Sequence, residues 1–237
     1  MKLLLTSSGI SNQSIQDALT GLLGKSIAES NALFVPTGMY PFAGGPQFVW
    51  KAINGELGSP ICKLGWKSLG IFELTMLPSI EKGIWQQTLR EADALLVWGG
   101  DPVFLSHWLR ESGLADFLPT LDKLVYVGVS AGAMATSELF AESYGNPPTT
   151  IASSISTEII NYDTFTATLV TARGAGFINF AIIPHYRNEN HREASEANAP
   201  VWASKIGVPV YAIDEQTAVK VENNTIEVIS EGHWELF

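Results

Sequence analysis

The feature that most constrains the fold is a regular alternation of short apolar runs with amphipathic stretches of helical length. A parallel sheet produces this pattern, because each buried strand is followed by a crossover helix that covers the sheet. The chain is therefore predicted to be an α/β protein with a mostly parallel central sheet and helices on both faces. The predicted strands are Lys2–Thr6, Ala32–Val35, Gly70–Leu74, Ala94–Trp98, Leu124–Val129, Phe180–Pro184 and Val208–Ile213. The predicted helices are Ser14–Leu23, Gln47–Asn54, Ile80–Glu91, Val103–Glu111, one directly after Ser130, and Asn188–Lys205.

Two further segments have their own patterns. The C-terminal stretch alternates apolar and polar residues around the turn Glu222-Asn223-Asn224, which predicts an antiparallel tail over Ala218–Val221, Thr225–Ile229 and Trp234–Phe237. The segment Glu142–Thr157 is rich in Pro, Ser, Thr and Gly, which predicts a loop near Ser130. No linker composition interrupts the chain, so residues 1–237 are predicted to form one domain.

Composition narrows the classes of function. Hydrophobic residues make up 46% of the chain and charged residues 16%, which fits a large buried core. The net charge of −10, without a basic run, argues against a nucleic-acid partner. The single cysteine excludes an intramolecular disulfide, and the sequence has no CxxC motif or Cys/His cluster that would indicate a metal site. No apolar run reaches the roughly 18 residues of a membrane span, so a cytoplasmic protein is expected.

Polar residues follow four of the predicted strands directly. Gly99-Gly100-Asp101 follows Trp98, Ser130 follows Val129, His185 follows Pro184, and Asp214-Glu215 follows Ile213. Open α/β sheets bind their ligands at the carboxyl edge of the strands. These residues are therefore predicted to converge on one site.

The turn Gly128-Val129-Ser130-Ala131-Gly132 predicts a nucleophile at Ser130. A sharp strand-to-helix turn exposes the hydroxyl and aims the next backbone N–H at the reacting carbonyl, and the small neighbours prevent a clash. The pattern also occurs at ordinary β-to-α turns, so it needs support from a base and from oxyanion donors. Gly100 is a candidate second donor, while Asp101 is predicted to cap the helix that begins at Pro102.

The histidines allow two triads. His107 lies inside a predicted amphipathic helix, and His191 lies in a polar stretch that predicts a solvated helix start. The order Ser, acid, His of α/β-hydrolases would use Ser130, Asp214 and His233, but no final helix fits after His233. The order Ser130, His185 and an acid at 214 or 215 uses strand ends throughout and is preferred.

Four stretches together resemble the serine peptidases that comprise aspartyl dipeptidase (dipeptidase E) and cyanophycinase. They are Val97–Asp101, Gly128–Ala133, Pro184-His185-Tyr186 and Ile213–Ala218. The resemblance covers most of the chain and implies a flavodoxin-like three-layer sandwich, related to class I glutamine amidotransferases with serine in place of their cysteine. It also implies peptide hydrolysis through an acyl-enzyme without a cofactor. Matched by position, Ser130 would be the nucleophile, His185 the base and Glu215 its orienting acid, with the Gly100 and Ala131 amides as the oxyanion hole.

The resemblance implies small peptides as substrates, with an N-terminal aspartate as the specific expectation. The sequence departs from the dipeptidase pattern, because Asp101 stands where asparagine is typical and the segment after His185 lacks a clear match to the aspartate-binding arginines. Arg187, Arg192 and Arg173 are available to bind a carboxylate, because arginine binds carboxylates bidentately. The candidate substrate-binding residues are Arg187, Arg192 and Asp101. A monomer or homodimer is expected. The rivals are an esterase or acyltransferase that uses Ser130, and a binding module without chemistry.

Overall fold

The structure, a computed structural model, describes residues 1–56, 61–147 and 154–237. The strands in these ranges are β1 (Lys2–Thr6), β2 (Asn31–Val35), β3 (Ser68–Ile71), β4 (Ala94–Val97), β5 (Val125–Val129), β6 (Leu139–Tyr144), β7 (Ser154–Asn161), β8 (Thr166–Arg173), β9 (Ala181–Ile183), β10 (Val210–Ile213), β11 (Thr217–Glu222), β12 (Thr225–Ser230) and β13 (Trp234–Leu236). The helices are α1 (Gln13–Leu23), α2 (Gly45–Ile53), α3 (Lys82–Glu91), α4 (Pro102–Glu111), α5 (Leu114–Phe117), α6 (Ala131–Met134) and α7 (Ala199–Ala203). Within the described ranges, no helix has the length and apolar character that a membrane crossing requires.

The central sheet has the strand order β12-β11-β1-β5-β4-β2-β3. The five strands from β1 to β3 in this order run parallel, and β11 and β12 add an antiparallel edge beside β1. This arrangement confirms the predicted fold class. It also places the carboxyl ends of β1, β4 and β5 next to one another at the middle of the sheet.

Alternate residues of β1 show why both faces of this sheet are covered. Leu3 and Leu5 pack with the apolar sides of α3 and α4, whereas Leu4 packs with those of α1 and α2. Successive side chains of a strand point to opposite faces, so an uninterrupted apolar strand needs a helical layer on each side. The apolar runs of the sequence therefore translate directly into a buried sheet.

Two smaller sheets extend the molecule beyond the central one. In the first, β10 pairs parallel to β9 and antiparallel to β13. In the second, β8 lies between β6 and β7 in an antiparallel arrangement. A separate hydrophobic cluster includes Phe140 of β6, Leu169 of β8, Ile183 of β9 and Trp202 of α7, so these elements share one core.

The loop predicted over Glu142–Thr157 is wrong at both of its ends. Glu142–Tyr144 belongs to β6 and Ser154–Thr157 to β7, and residues 148–153 between them lie outside the described ranges. The strand β7 is exposed along most of its length, so it has few of the apolar positions that identify a strand in sequence. Its pairing with β8 supplies the hydrogen bonds instead, and composition does not reveal that pairing.

The helix predicted over Asn188–Lys205 is also wrong, because the chain forms only a 3-10 turn at Arg192–Ala194 and the short helix α7. Arg187 adopts a left-handed backbone conformation (φ 64°), and Ser195 is extended, so no continuous helix can form. Pro200 lacks the backbone N–H that a helix interior requires and therefore sits at the first turn of α7. The prediction followed polar helix-forming residues and missed these backbone turns.

Candidate active site

Ser130 occupies the sharp turn between β5 and α6. Its backbone has φ 50°, a region that non-glycine residues rarely adopt. The N–H of Ser130 donates to the carbonyl of Thr6 at the end of β1 (2.9 Å), and its own carbonyl accepts the N–H groups of Ala133 and Met134. These bonds hold the strained turn from both sides, and the hydroxyl is left partly exposed above the sheet.

The two glycines of the turn are required by close backbone contacts. A Cβ atom on Gly132 would lie 2.1 Å from the carbonyl oxygen of Val97 on the neighbouring strand. A Cβ atom on Gly128 would lie 2.6 Å from the carbonyl oxygen of Gly132. Real Cβ atoms do not approach this closely, so the Gly-x-Ser-x-Gly spacing is what lets the turn pack against β4.

His185 connects Ser130 to an acid. Its Nε2 lies 2.9 Å from the Oγ of Ser130, and its Nδ1 lies 2.9 Å from the Oε1 of Glu215. His185 follows β9 and Glu215 follows β10, and these two strands pair in parallel, so the two side chains emerge at the same edge. The side chains of His185 and Glu215 are 18% and 30% exposed, which leaves the imidazole largely shielded from water.

Glu215 also accepts a hydrogen bond from a second donor. The Nδ2 of Asn188 lies 2.5 Å from the Oε1 of Glu215, the same oxygen that faces His185. Partial burial raises the pKa of Glu215, but the hydrogen bonds from His185 and Asn188 outweigh this effect, so its pKa lies below the usual value. The carboxylate is therefore ionised at neutral pH and accepts from a protonated Nδ1.

The other candidate pair, Asp214 and His233, forms its own contact. The Nδ1 of His233 lies 3.5 Å from the Oδ2 of Asp214, and the His233 side chain is 66% exposed. Asp214 also accepts hydrogen bonds from the hydroxyl of Thr217 and the N–H of Gln216, so it organises the start of β11. Within the described ranges, the histidine hydrogen-bonded to Ser130 is His185.

Two backbone amides lie close to Ser130, one on the next residue and one in the adjacent Gly99-Gly100 turn. A Cβ atom on Gly99 would lie 3.3 Å from the Cβ of Ser130, so the turn that contains Gly100 lies directly against the serine. Within the part of the chain that the structure describes, neither the N–H of Gly100 nor that of Ala131 has a hydrogen-bond acceptor. Unpaired amides next to a nucleophile are what an oxyanion hole requires.

Comparison with known proteins places this site in a family. The model of peptidase family S51 matches residues 3–229. The chain belongs to peptidase family S51. This S51 chain is therefore a serine-type peptidase, and peptides are its class of substrate.

Two solved structures have a similar fold. A protein described as a peptidase E from Listeria monocytogenes EGD-e has a TM-score of 0.60 and 21% identity, over 98% of both chains. A peptidase from an acI-B1 Actinobacterium has a TM-score of 0.58 and 17% identity, over all of this chain and 86% of the other. At these identities the similarity shows the shared fold. A search of curated proteins gives no match.

Asp101 of the S51 chain serves mainly as a structural anchor. It caps helix α4 by accepting the N–H of Phe104 (2.8 Å), and it accepts the hydroxyl of Tyr144 from β6 (2.9 Å). The residue is 5% exposed. The predicted capping role is thus present, and both carboxylate oxygens have partners within the protein.

The two candidate substrate arginines lie beyond His185 and already have contacts. Arg187 is exposed and its Nη2 lies 3.0 Å from the Oε1 of Glu196, which is also exposed. The guanidinium of Arg192 lies 4.4 Å from the ring centroid of Phe165, in a cation–π contact. Both arginines remain accessible at the surface.

The carboxyl groups of Glu142, Asp101 and Glu193 lie close enough to influence one another, next to the Ser130–His185 contact. Burial raises the pKa of Glu142 well above its usual value, and the charges of Asp101 and Glu193 raise it further. Burial also raises the pKa of Glu193, but the hydrogen bonds from His191 and from the backbone, together with the charges of His191 and His185, outweigh this effect and leave its pKa below the usual value. Within the described ranges, no group of His, Cys, Asp and Glu side chains is arranged to hold a metal ion.

Sequence reasoning missed three residues that contact the triad candidates. Ser7 and Asn188 bond to His185 and Glu215, and His191 stacks on the ring of His185. His191 was predicted to be solvated, and its side chain is 40% exposed, but its ring also stacks on that of His185, which was not predicted. Ser7 could have been found, because it follows the first strand directly, as Ser130 and His185 follow theirs.

Proposed function

We propose that this S51 peptidase hydrolyses small peptides through an acyl-enzyme on Ser130. The observation that carries the proposal is the continuous chain of contacts from Ser130 Oγ to His185 Nε2 and from His185 Nδ1 to Glu215, each 2.9 Å long. This is the arrangement of nucleophile, general base and orienting acid that acyl transfer requires. Ser130, His185 and Glu215 are accordingly the proposed catalytic residues.

In the first half of the reaction, the Oγ of Ser130 attacks the carbonyl carbon of the scissile peptide bond. His185 accepts the hydroxyl proton at Nε2, and Glu215 stabilises the resulting imidazolium through Nδ1–H. The tetrahedral intermediate then collapses, the C–N bond breaks, and His185 gives its proton to the leaving amine. The products of this half are an ester on Ser130 and a free amine.

In the second half, a water molecule attacks the ester carbon while His185 takes its proton. The second tetrahedral intermediate expels the Oγ of Ser130, which recovers a proton from His185, and the carboxylic acid leaves. In both halves the negative oxygen is held by the N–H groups of Gly100 and Ala131, which are unpaired in the described structure. One such donor contributes on the order of 100- to 1,000-fold in kcat.

The finer proposal is a substrate with an N-terminal aspartate, as the family resemblance implies. Its side-chain carboxylate would need a cationic partner, and Arg187 and Arg192 are the arginines that follow His185 most closely. An aspartate that binds Arg187 would compete with Glu196, an exposed pair whose loss costs little because surface ion pairs are weak. Asp101 would contribute by holding the turn that contains Gly100.

The proposal includes two properties of the working enzyme. We place it in the cytoplasm, because a chain with one cysteine does not depend on an oxidising compartment for an intramolecular disulfide. We expect it to act as a monomer or homodimer on free peptides.

A library of dipeptides with one variable N-terminal residue tests this function. Wild-type protein is expected to release amino acids from a subset of the library, and Ser130→Ala is expected to release none above background. Preference for Asp-X that falls in Arg187→Ala or Arg192→Ala, through a raised KM, would support the aspartate proposal. Hydrolysis that persists in Ser130→Ala would overturn the proposed mechanism.

A further inference from the structure

The end of strand β1 holds both halves of the proposed catalytic pair. Ser130 and His185 are two of the non-glycine residues with positive φ, at 50° and 61°. Such conformations are energetically unfavourable and persist only when the surrounding structure holds them. The N–H of Ser130 donates to the carbonyl of Thr6 (2.9 Å), and the N–H of His185 donates to the hydroxyl of Ser7 (2.8 Å). Thr6, the last residue of β1, and Ser7, which follows it, thus accept hydrogen bonds from the N–H groups of the two residues with strained backbones.

Ser7 makes a second contact with the same histidine. Its Oγ lies 3.2 Å from the Nδ1 of His185, beside the Oε1 of Glu215 at 2.9 Å from the same nitrogen. Ser7 is fully buried. Because Glu215 is ionised and accepts from Nδ1–H, the hydroxyl oxygen of Ser7 is placed as a second acceptor for this proton. The proton is thereby kept on Nδ1, and the lone pair of Nε2 is left to face Ser130.

The same loop also holds the acid. The hydroxyl of Ser11 donates to the carbonyl of Glu215 (2.5 Å), and the Nδ2 of Asn12 donates to the carbonyl of Gln216 (2.9 Å). Asn12 is in addition the N-cap of α1, so the loop is fixed at both ends. The hydrogen bonds of Ser7, Ser11 and Asn12 therefore set the position of the base relative to the acid.

We propose that Ser7 is a positioning residue for His185 in the reaction, an inference that rests on the proposed function. It acts through His185 by fixing the backbone conformation, the ring orientation and the tautomer of the imidazole. It does not touch the reacting atoms. Removal of its hydroxyl leaves the buried N–H of His185 without an acceptor and gives Nδ1–H one acceptor fewer.

The test compares Ser7→Ala and Ser7→Cys with the control Ser8→Ala. Cysteine keeps the shape of the serine side chain, although sulfur is larger than oxygen, and it accepts hydrogen bonds weakly. Within the described ranges the neighbouring Ser8 makes no side-chain hydrogen bond, so its truncation should leave activity unchanged. We expect both Ser7 variants to lose about 10- to 100-fold in kcat while KM stays within about twofold of wild type. A role in folding alone would instead lower the melting temperature and leave kcat per folded molecule unchanged.

A spectroscopic readout supports the kinetics. The Nδ1 proton resonance of His185, identified by its loss in His185→Ala, should shift in Ser7→Ala and stay in place in Ser8→Ala. If folded Ser7→Ala and Ser7→Cys keep the wild-type kcat or an unshifted resonance, the inference is wrong. If no peptide in the library is hydrolysed, the rate at which a fluorophosphonate labels Ser130 is measured instead of kcat for wild type and for each variant. Absence of labelling in wild type would overturn the proposed function itself, which separates the two failures.

Discussion

The imidazole ring of His191 stacks on that of His185, with centroids 4.0 Å apart and planes inclined by 16°. The Nδ1 of His191 lies 3.0 Å from the Oε1 of Glu193, which fixes the orientation of the outer ring. His185 is therefore constrained in its plane by a neighbouring ring and along its Nδ1 edge by Glu215 and Ser7. The stack limits rotation of the ring out of line with Ser130.

This stack predicts different effects for two variants of His191. Phenylalanine keeps a flat ring against His185, so His191→Phe should retain kcat within about threefold of wild type. His191→Ala removes the ring and should lower kcat by about 2- to 10-fold, since aromatic pairs contribute about 0.5–1.5 kcal/mol. Steady-state kinetics of both variants measure the difference. Equal losses would show that the ring nitrogens matter and the stack does not.

The two possible triads predict opposite outcomes at their histidines. His185→Ala should reduce kcat by about 1,000-fold or more, because removal of a triad member leaves only oxyanion stabilisation and binding. His233→Ala should leave kcat near the wild-type value, since His233 is exposed and paired with Asp214. Kinetics at a single pH suffice to compare them. The proposed triad is wrong if the larger loss occurs in His233→Ala.

Glu142 predicts a pH-dependent effect on stability. Its pKa is raised well above the usual value in the folded protein, so the folded state holds a proton that the unfolded chain releases above about pH 4.5. This group therefore lowers the free energy of unfolding as the pH rises above that value. Glu142→Gln removes the titration and should melt at a higher temperature than wild type near pH 8, with the difference shrinking toward pH 4.5. A difference in melting temperature between Glu142→Gln and wild type that stays constant from pH 4.5 to pH 8 would contradict this explanation.

Gly132 predicts a large loss of stability on substitution. A Cβ at this position would lie 2.1 Å from the carbonyl oxygen of Val97, so Gly132→Ala must displace either the turn or β4. The matched control is Gly21→Ala in helix α1, where a Cβ meets no atom within 4 Å. The control should gain about 0.5–1 kcal/mol from reduced backbone entropy. Chemical denaturation measures both, and a Gly132→Ala protein as stable as wild type would refute the packing argument.

The middle of the central sheet was predictable from sequence because β1, β4 and β5 are buried on both faces. The runs Leu3–Leu5 and Ala94–Val97 are apolar without interruption, and burial alone decides their structure. The strand β7 was not predictable in this way, because six of its first seven residues are exposed and its stability comes from pairing with β8. Local composition carries no information about such a distant partner.

The residues of the candidate site also divide into those that could be predicted from sequence and those that could not. The carboxyl-edge argument predicted that Ser130, His185 and an acid at 214 or 215 lie together, and the choice of Glu215 came from the family resemblance. The contact of His191 with His185 was not predicted, because it depends on a turn of the chain at Arg187. Arg187 has a left-handed backbone there, and the sequence has no glycine at this position to indicate it. Ser7 and Asn188 act through hydrogen bonds that depend on the exact spacing of three loops, and that spacing exists only in the folded chain.

The claim that Ser130 is the nucleophile can be measured most directly by reaction with a fluorophosphonate, followed by intact-mass and peptide mass spectrometry. The account predicts a single adduct on Ser130 that disappears in Ser130→Ala, forms far more slowly in His185→Ala, and forms at the wild-type rate in His233→Ala. A folded wild-type protein that stays unlabelled, or an adduct that persists in Ser130→Ala, would contradict it.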